Sequence, residues 1–295
     1  MIRRQKRTLA ILYLIPSVAL YMFYTAVPFI RSFGYAFTDW NGYGTEYNYI
    51  GFQNFERLFK DANVWNALQH NVFFFLVGAV LVFSISILFA VSLTRFKLQE
   101  ANFYRIVFYF PNIISIVITS MLWKFIYNPS FGLLNAFLKA VGLDSWTHTW
   151  LGETETVLPA LLVPWVWGAL GFYMVMFIAA IENIPTSLYE AAVIDGASEG
   201  QQLTRITLPL IWETIRVTFV FFLLGAFSGT YTIVNVTTKG GPARASDILT
   251  TYMYENAFDF RRFGYGTTIG LLLFVILFAL ALVWLWLSSR ETIEY

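Results

Sequence analysis

The sequence contains no cysteine, only two histidines and few charges: Asp, Glu, Lys and Arg together make up 13% of its 295 residues. Without cysteine there can be no disulfide and no thiolate metal site, and the redox compartment is left undetermined. His70 and His148 stand alone and no H-E-x-x-H pattern occurs, which gives metal or histidine-based catalysis little to work with. No glycine is followed by lysine, so the phosphate-binding loop G-x-x-x-x-G-K-[ST] is absent. Any ATP that the protein uses must be hydrolysed by another chain. The net charge of +1 argues for neither nucleic acid nor polyanion binding. No low-complexity segment or internal repeat is visible.

What the sequence has in abundance is apolar surface, with 58% hydrophobic and 19% aromatic residues. A soluble domain carries about 25% charge, so the natural solvent here is a bilayer. A spanning helix needs about 20 apolar residues. Six stretches qualify, at about 9–30, 71–93, 105–127, 157–181, 213–234 and 265–287. The third is expected to break at Pro111, and the fourth has Pro159 and Pro164 near its start. The sixth ends in Trp284 and Trp286, suited to an interface belt. The first follows Arg3, Arg4, Lys6 and Arg7 but is too long for a signal-peptide core, so it reads as a retained helix.

Six spans put both termini on one side. With the N-terminus inside, ten of the 19 Lys and Arg fall on inner segments, including Arg95, Lys97, Arg105, Arg205, Arg216 and Arg290. Eight fall on outer segments, and Lys124 lies in the third span. The N-terminal cluster decides the orientation, because the first helix usually dominates it. Residues 1–8 and 291–295 are then cytoplasmic, and 9–290 form the membrane domain. The long outer loops hold a turn at 37–42, a short amphipathic helix at about 133–141 and the breaker Gly240-Gly241-Pro242.

The inner loop 182–212 is the most informative segment. Ser187 with Glu190, and Ser198 with Gln201, each have capping-box spacing. Gly196 suits a left-handed helix end, and Pro209 opposes smooth continuation into the fifth span. The pattern predicts two short capped helices hinged at Gly196. Tyr189, Ala192, Val193 and Gly196 share one stripe, flanked by Glu190 and Asp195. An apolar face with small residues suits burial against protein. By these residues alone, that protein is equally well the chain's own bundle or a separate partner.

Glu190-Ala191-Ala192, Asp195-Gly196-Ala197 and Leu208-Pro209 resemble the EAA loop of ABC importer permeases. Phe37-Thr-Asp-Trp-Asn, 128–135, Gly240-Gly-Pro and 260–265 resemble the carbohydrate-uptake branch, of the maltose-transporter F and glycerol-3-phosphate A subunit type. Gly200 departs from the bulky residue common there. The resemblance implies an all-α membrane protein with the type I ABC importer permease fold and cytoplasmic coupling helices. It implies a multi-pass subunit of the cytoplasmic (inner) membrane of a bacterium or archaeon, with no chemistry of its own. Its partners would be a second permease subunit, two ATP-binding subunits that hold ATP and Mg, and an extracytoplasmic solute-binding protein. Tyr189, Glu190, Ala191, Ala192, Asp195, Gly196, Ala197, Leu208 and Pro209 would couple to the ATPase.

A sugar path needs polar partners and flat aromatic faces within apolar spans. Asn112 and Ser115 in the third span, Trp165, Trp167 and Phe172 in the fourth, and Phe227, Thr230 and Tyr231 in the fifth are the candidates. For each aromatic, packing against lipid or a neighbouring helix is the simpler reading. The spans are nearly free of charge, which opposes an ion-coupled secondary transporter, and the absence of basic candidates disfavours an anionic cargo such as glycerol-3-phosphate. No carboxylate cluster suggests a membrane enzyme.

Overall fold

The computed structural model describes residues 2–96 and 99–289, with side chains from residue 11 onward. The expectations for Lys97, Arg290 and the tail 291–295 lie outside the described residues. Among these the chain is helical, with one isolated antiparallel bridge between Thr38 and Tyr49. Five helices are long and apolar enough to span a membrane: Ile11–Tyr35, Ala62–Arg95, Val157–Glu182, Trp212–Thr237 and Phe263–Leu287. A bent pair, Ala101–Ile113 with Ile116–Ile126, makes a sixth when counted as one broken span. In chain order these are spans one to six, the bent pair being span three.

Most expected boundaries are extended. Span two starts nine residues before 71, and span one continues to Tyr35 across a wide π turn at Met22–Ala26. Such turns insert one residue into the ladder, and another interrupts span five at Gly225–Gly229. The break of span three is not at Pro111. The helix runs through that proline to Ile113, and Ile114 and Ser115 are extended before the second half begins at 96° to the first. Pro111 removes one donor, but it is Ile114 and Ser115 that leave helical geometry. Trp284 is likewise not a free interface anchor. Its ring stacks on Phe219 at 3.9 Å and its indole N–H donates to the Arg216 carbonyl at 3.0 Å, while Trp286 is exposed.

Contacts divide the chain into two compact units. The first comprises Met1–Val64 and Tyr252–Leu273. Within it, the Asn54 side-chain amide donates to the carbonyls of Ala36 and Thr38 at 2.9 Å each, closing the turn expected at 37–42. A helix not foreseen in this loop, Gln53–Lys60, carries Asn54 and Arg57. It ends at Asp61, whose Oδ2 accepts hydrogen bonds from the hydroxyls of Tyr252 and Tyr265, both at 2.6 Å. The Arg57 guanidinium lies over the Tyr265 ring at 4.3 Å. Burial works against the Asp61 carboxylate, but the two phenols, the Asn63 amide and Arg57 outweigh it and hold its pKa below the usual range. Burial and the same carboxylate push the Tyr252 phenol up. Gly264 approaches the Thr38 carbonyl too closely for any side chain. The spanning part of span one, by contrast, buries none of its most apolar stretch.

The second unit comprises Trp65–Thr251 and Phe274–Tyr295. Its core is aromatic: Phe74, Phe83, Trp165, Tyr173, Phe177 and Phe222 interlock with ring centroids 5.5–6.0 Å apart. The Phe74–Trp165, Phe83–Phe222 and Tyr173–Phe222 pairs are edge-to-face, an arrangement that contributes about 0.5–1.5 kcal/mol each beyond area burial. Two glycines let the helices approach closely. A Cβ on Gly78 would meet the Trp165 ring at 2.6 Å, and one on Gly171 would meet Tyr109 Cα at 2.7 Å. The expected amphipathic helix is present as Leu133–Ala140, pinned by Asn135, which donates to the His148 carbonyl and accepts from the Trp150 indole. His148 also pairs with Glu153 at 2.9 Å. A further helix starts at Leu249, inside the segment read as loop. Asn71, fully buried in span two, accepts from the Leu249 N–H at 2.9 Å and faces the carbonyls of Ala226 and Phe227 in the wide turn of span five at 3.4 Å.

Candidate functional site: the loop between spans four and five

Span four ends at Glu182, and Ile184 is buried where the chain turns. The first loop helix is Thr186–Ile194, with Pro185 as its N-cap. Ser187 therefore lies inside the helix, and the expected capping box with Glu190 does not form. Proline fixes φ and presets the entry, so the helix starts one residue before that serine. The C-terminal end matches expectation. Gly196 has φ +75, the Ala197 N–H donates to the Ala192 carbonyl at 2.8 Å and the Gly196 N–H to the Val193 carbonyl at 3.0 Å. This is a Schellman closure, and it needs the left-handed residue that glycine supplies without strain.

The second loop helix starts at Glu199 with a complete capping box. Ser198 Oγ accepts from the Gln201 N–H at 3.3 Å, and the Gln201 side chain accepts from the Ser198 N–H at 2.8 Å. After Gln202 the helix widens into a π turn at Leu203–Thr207 and tightens again over Leu208–Leu210. Pro209 does not stop it. The proline sits at the first turn of that last segment, where its missing N–H is not needed. The interruption comes two residues later, at Ile211, before span five begins at Trp212.

The stripe faces differ from the helical-wheel expectation. Tyr189 is 4% exposed and turns inward, its hydroxyl 3.0 Å from that of Thr207. Arg95, the last residue of span two, lies over its ring, and Gln202 receives a hydrogen bond from the same guanidinium. The outer face instead presents Val193 and Ile194, 62% and 85% exposed, with Ala191 and the carboxylates of Glu190 and Asp195 beside them. Ala192, Ala197 and Leu208 are half-buried and Pro209 is exposed. Sequence reasoning missed Arg95, Gln202, Thr207 and Ile194 as parts of this unit. Arg95 was readable only as a topological charge. Ile194 lies off the small-residue stripe.

The proposed path residues separate into two groups. Trp165, Phe227 and Thr230 are interior: Trp165 packs on Phe74 and Phe222, Phe227 on Phe75, and the Thr230 hydroxyl donates to the Ala226 carbonyl at 3.1 Å. Asn112 and Ser115 are exposed at the break of span three, with the Asn112 amide donating to the Gly168 carbonyl at 3.1 Å. Trp167 and Phe172 are half-buried, Trp167 packing on Trp123 and Phe172 on Tyr173. Tyr231 is half-buried in span five. Lys124 is exposed, and its ammonium reaches the Val236 carbonyl at 3.4 Å. Among the described residues no cluster of three or more His, Asp or Glu could hold a metal ion.

The sequence profile of the family described as "Binding-protein-dependent transport system inner membrane component" matches residues 101–290. The chain is 34% identical over 283 residues to the "Probable ABC transporter permease protein YurN" of Bacillus subtilis, covering 95% of both chains. It is 32% identical over 265 residues to the diacetylchitobiose uptake system permease protein NgcF of Streptomyces coelicolor, covering 87% of this chain and 75% of that one. Its fold is similar to that of a bacterial ABC transporter involved in the import of the acidic polysaccharide alginate, with a TM-score of 0.86, 26% identity and 98% of each chain covered. Half a dozen apolar helices, a hinged two-helix loop and these matches agree: the chain belongs to the family of binding-protein-dependent transport system inner membrane components, as a permease subunit of an ABC importer.

Proposed function

We propose that this subunit moves a neutral saccharide of two or more units inward across the cytoplasmic membrane, driven by ATP bound and hydrolysed on separate subunits. The observation that carries the reading is the loop 182–212. Two short helices, closed at Gly196 and Ser198, present Val193 and Ile194 to solvent at one tip. Bare apolar side chains beside two carboxylates suit a groove on a partner that is apolar at its centre and cationic at its rim. With the N-terminus inside, this tip is cytoplasmic, where an ATPase would meet it. Closure of two ATPase subunits would push the loop, and spans four and five would carry the displacement into the bundle by alternating access.

The assembly would hold a second permease subunit, two ATP-binding subunits and an extracytoplasmic solute-binding protein. The bare apolar surface of span one suits lipid or that second permease subunit. A saccharide cargo is supported by the similarity to the diacetylchitobiose uptake permease and to the alginate importer. Asn112, Ser115, Trp167 and Phe172, in or near the broken span, offer amide, hydroxyl and ring faces and no cation among themselves, which favours a neutral sugar; Lys124 of the same span reaches the Val236 carbonyl. Trp165, Phe227 and Thr230 would reach a path only after the helices repack; Tyr231, half-buried in span five, stays with the path candidates. Uptake of labelled diacetylchitobiose, maltotriose and lactose into proteoliposomes holding the full assembly tests this. Uptake of a saccharide that needs internal Mg–ATP supports it; uptake of glycerol-3-phosphate alone would contradict it.

A further inference from the structure

The two loop helices are nine and four residues long. Isolated helices below about 12–15 residues do not hold their own shape or position in water. Two of their anchors are covalent: Ile184 and Pro185 lead back to span four, and the turn Leu203–Thr207 leads on to span five. A third anchor comes from elsewhere in the sequence. Arg95 closes span two, and its guanidinium carbon stands 3.5 Å from the centroid of the Tyr189 ring. Its Nη2 donates to Gln202 Oε1 at 3.1 Å, across 107 positions of sequence.

Each contact is itself held. Tyr189 is fixed by Thr207, and the Gln202 amide donates to the Ala197 carbonyl at 3.1 Å. One side chain of span two thus grips the first loop helix by a ring face and the second by an amide. Beside it lies a cavity of about 410 Å³, whose lining includes Val91, Phe96, Val193 and Leu203. Span two and the loop leave this space between them, and the stack and hydrogen bond of Arg95 bridge it at its edge. A planar guanidinium can stack and donate sideways at once, whereas an ammonium is a point charge without that fork.

We propose that Arg95 is a positioning residue that fastens both loop helices to span two, so that the stroke of the loop is delivered to three spans and not only to the two that flank it. This rests on the docking reading of the loop given above. The test uses the assembled transporter in nanodiscs, with cysteine-free partner subunits, since this chain has no native cysteine. Spin labels at Leu88 of span two and Ser187 of the first loop helix report their separation without nucleotide and with Mg–ATP plus vanadate.

With Arg95 present, one separation is expected in both states. Arg95→Ala and Gln202→Ala should each give a separation that differs between the states, with ATPase subunits still co-purifying and ATP hydrolysis changed by less than about five-fold, the lower edge of ordinary coupling effects. Arg95→Lys should fall between. A single unchanged separation in Arg95→Ala overturns the proposal. Should Arg95→Ala fail to assemble, Gln202→Ala, which spares the charge and the stacking, decides by the same criterion. Ile194→Asp separates the two readings: if the ATPase subunits remain bound to it, the docking reading fails, and the spin-label result still decides the role of Arg95.

Discussion

Gly171 of span four meets the backbone of Tyr109 in span three so closely that an added Cβ would stand 2.7 Å from Tyr109 Cα and 2.8 Å from the Phe108 carbonyl oxygen. Backbone cannot move aside as a side-chain tip can. Gly171→Leu should therefore force the first half of span three off span four, at a cost of about 1–3 kcal/mol typical of overpacking. Thermal unfolding in detergent should show a lowered midpoint. Gly168→Ala, at a glycine of the same span with open space beside it, should not lower the midpoint.

Asn71 offers a second check on the interior. Its side chain is the partner of the Leu249 N–H and faces two carbonyls in the wide turn of span five. Asn71→Leu removes the acceptor and leaves that amide without it, a loss of about 1–3 kcal/mol for a buried group. Hydrogen exchange at Leu249 should accelerate in the variant. Protection equal to the parent would show that another acceptor takes over.

The Asp61 node makes a prediction about pH. Its carboxylate pKa lies below the ordinary value of about 4 because Tyr252 and Tyr265 donate to it. A lowered folded-state pKa means stability that is fully present above the unfolded value and lost as pH falls through the folded one. Acidification from about pH 6 to pH 3 should lower the parent's unfolding midpoint, and Asp61→Asn should flatten part of that fall. An identical acid limb in parent and variant would remove the node from the account.

Several features were legible in the sequence because they rest on local chemistry. The six apolar stretches, the glycine hinge at 196 and the Ser198–Gln201 box each depend on side chains within a few residues. What escaped depends on partners far along the chain. The inward turn of Tyr189 is set by Arg95 and Thr207, and helical spacing alone cannot tell which side of a stripe faces the bundle. The Ser187 box failed because Pro185 had already started the helix. The break of span three was misplaced because a proline inside a helix is easier to see than the extended pair Ile114 and Ser115 that ends it. The helix at Leu249 was hidden by the breaker before it.

The hinge yields a prediction that separates backbone conformation from contact. Nothing lies within 4 Å of a Cβ on Gly196, so only its φ of +75 resists substitution. Gly196→Asn should be tolerated, since asparagine visits the left-handed region. Gly196→Val should cost at least about 1–2 kcal/mol locally, and should lower ATP-dependent uptake while leaving the amount of protein in the membrane unchanged. Equal uptake by both variants would mean that the loop does not act through its fixed geometry.

The central claim is that the tip of the loop seats on an ATP-hydrolysing subunit, and Ile194 tests it most directly. Ile194→Cys introduces one thiol into a chain that has none, at a position 85% exposed. A short bifunctional maleimide–photoreactive reagent applied to membranes of cells producing the whole transporter should join it to the ATP-binding subunit, identified by mass spectrometry, and prior Ile194→Cys labelling should block ATP-driven uptake. Labelling of intact cells by a membrane-impermeant maleimide from the extracytoplasmic side, with no product containing the ATP-binding subunit, would contradict it.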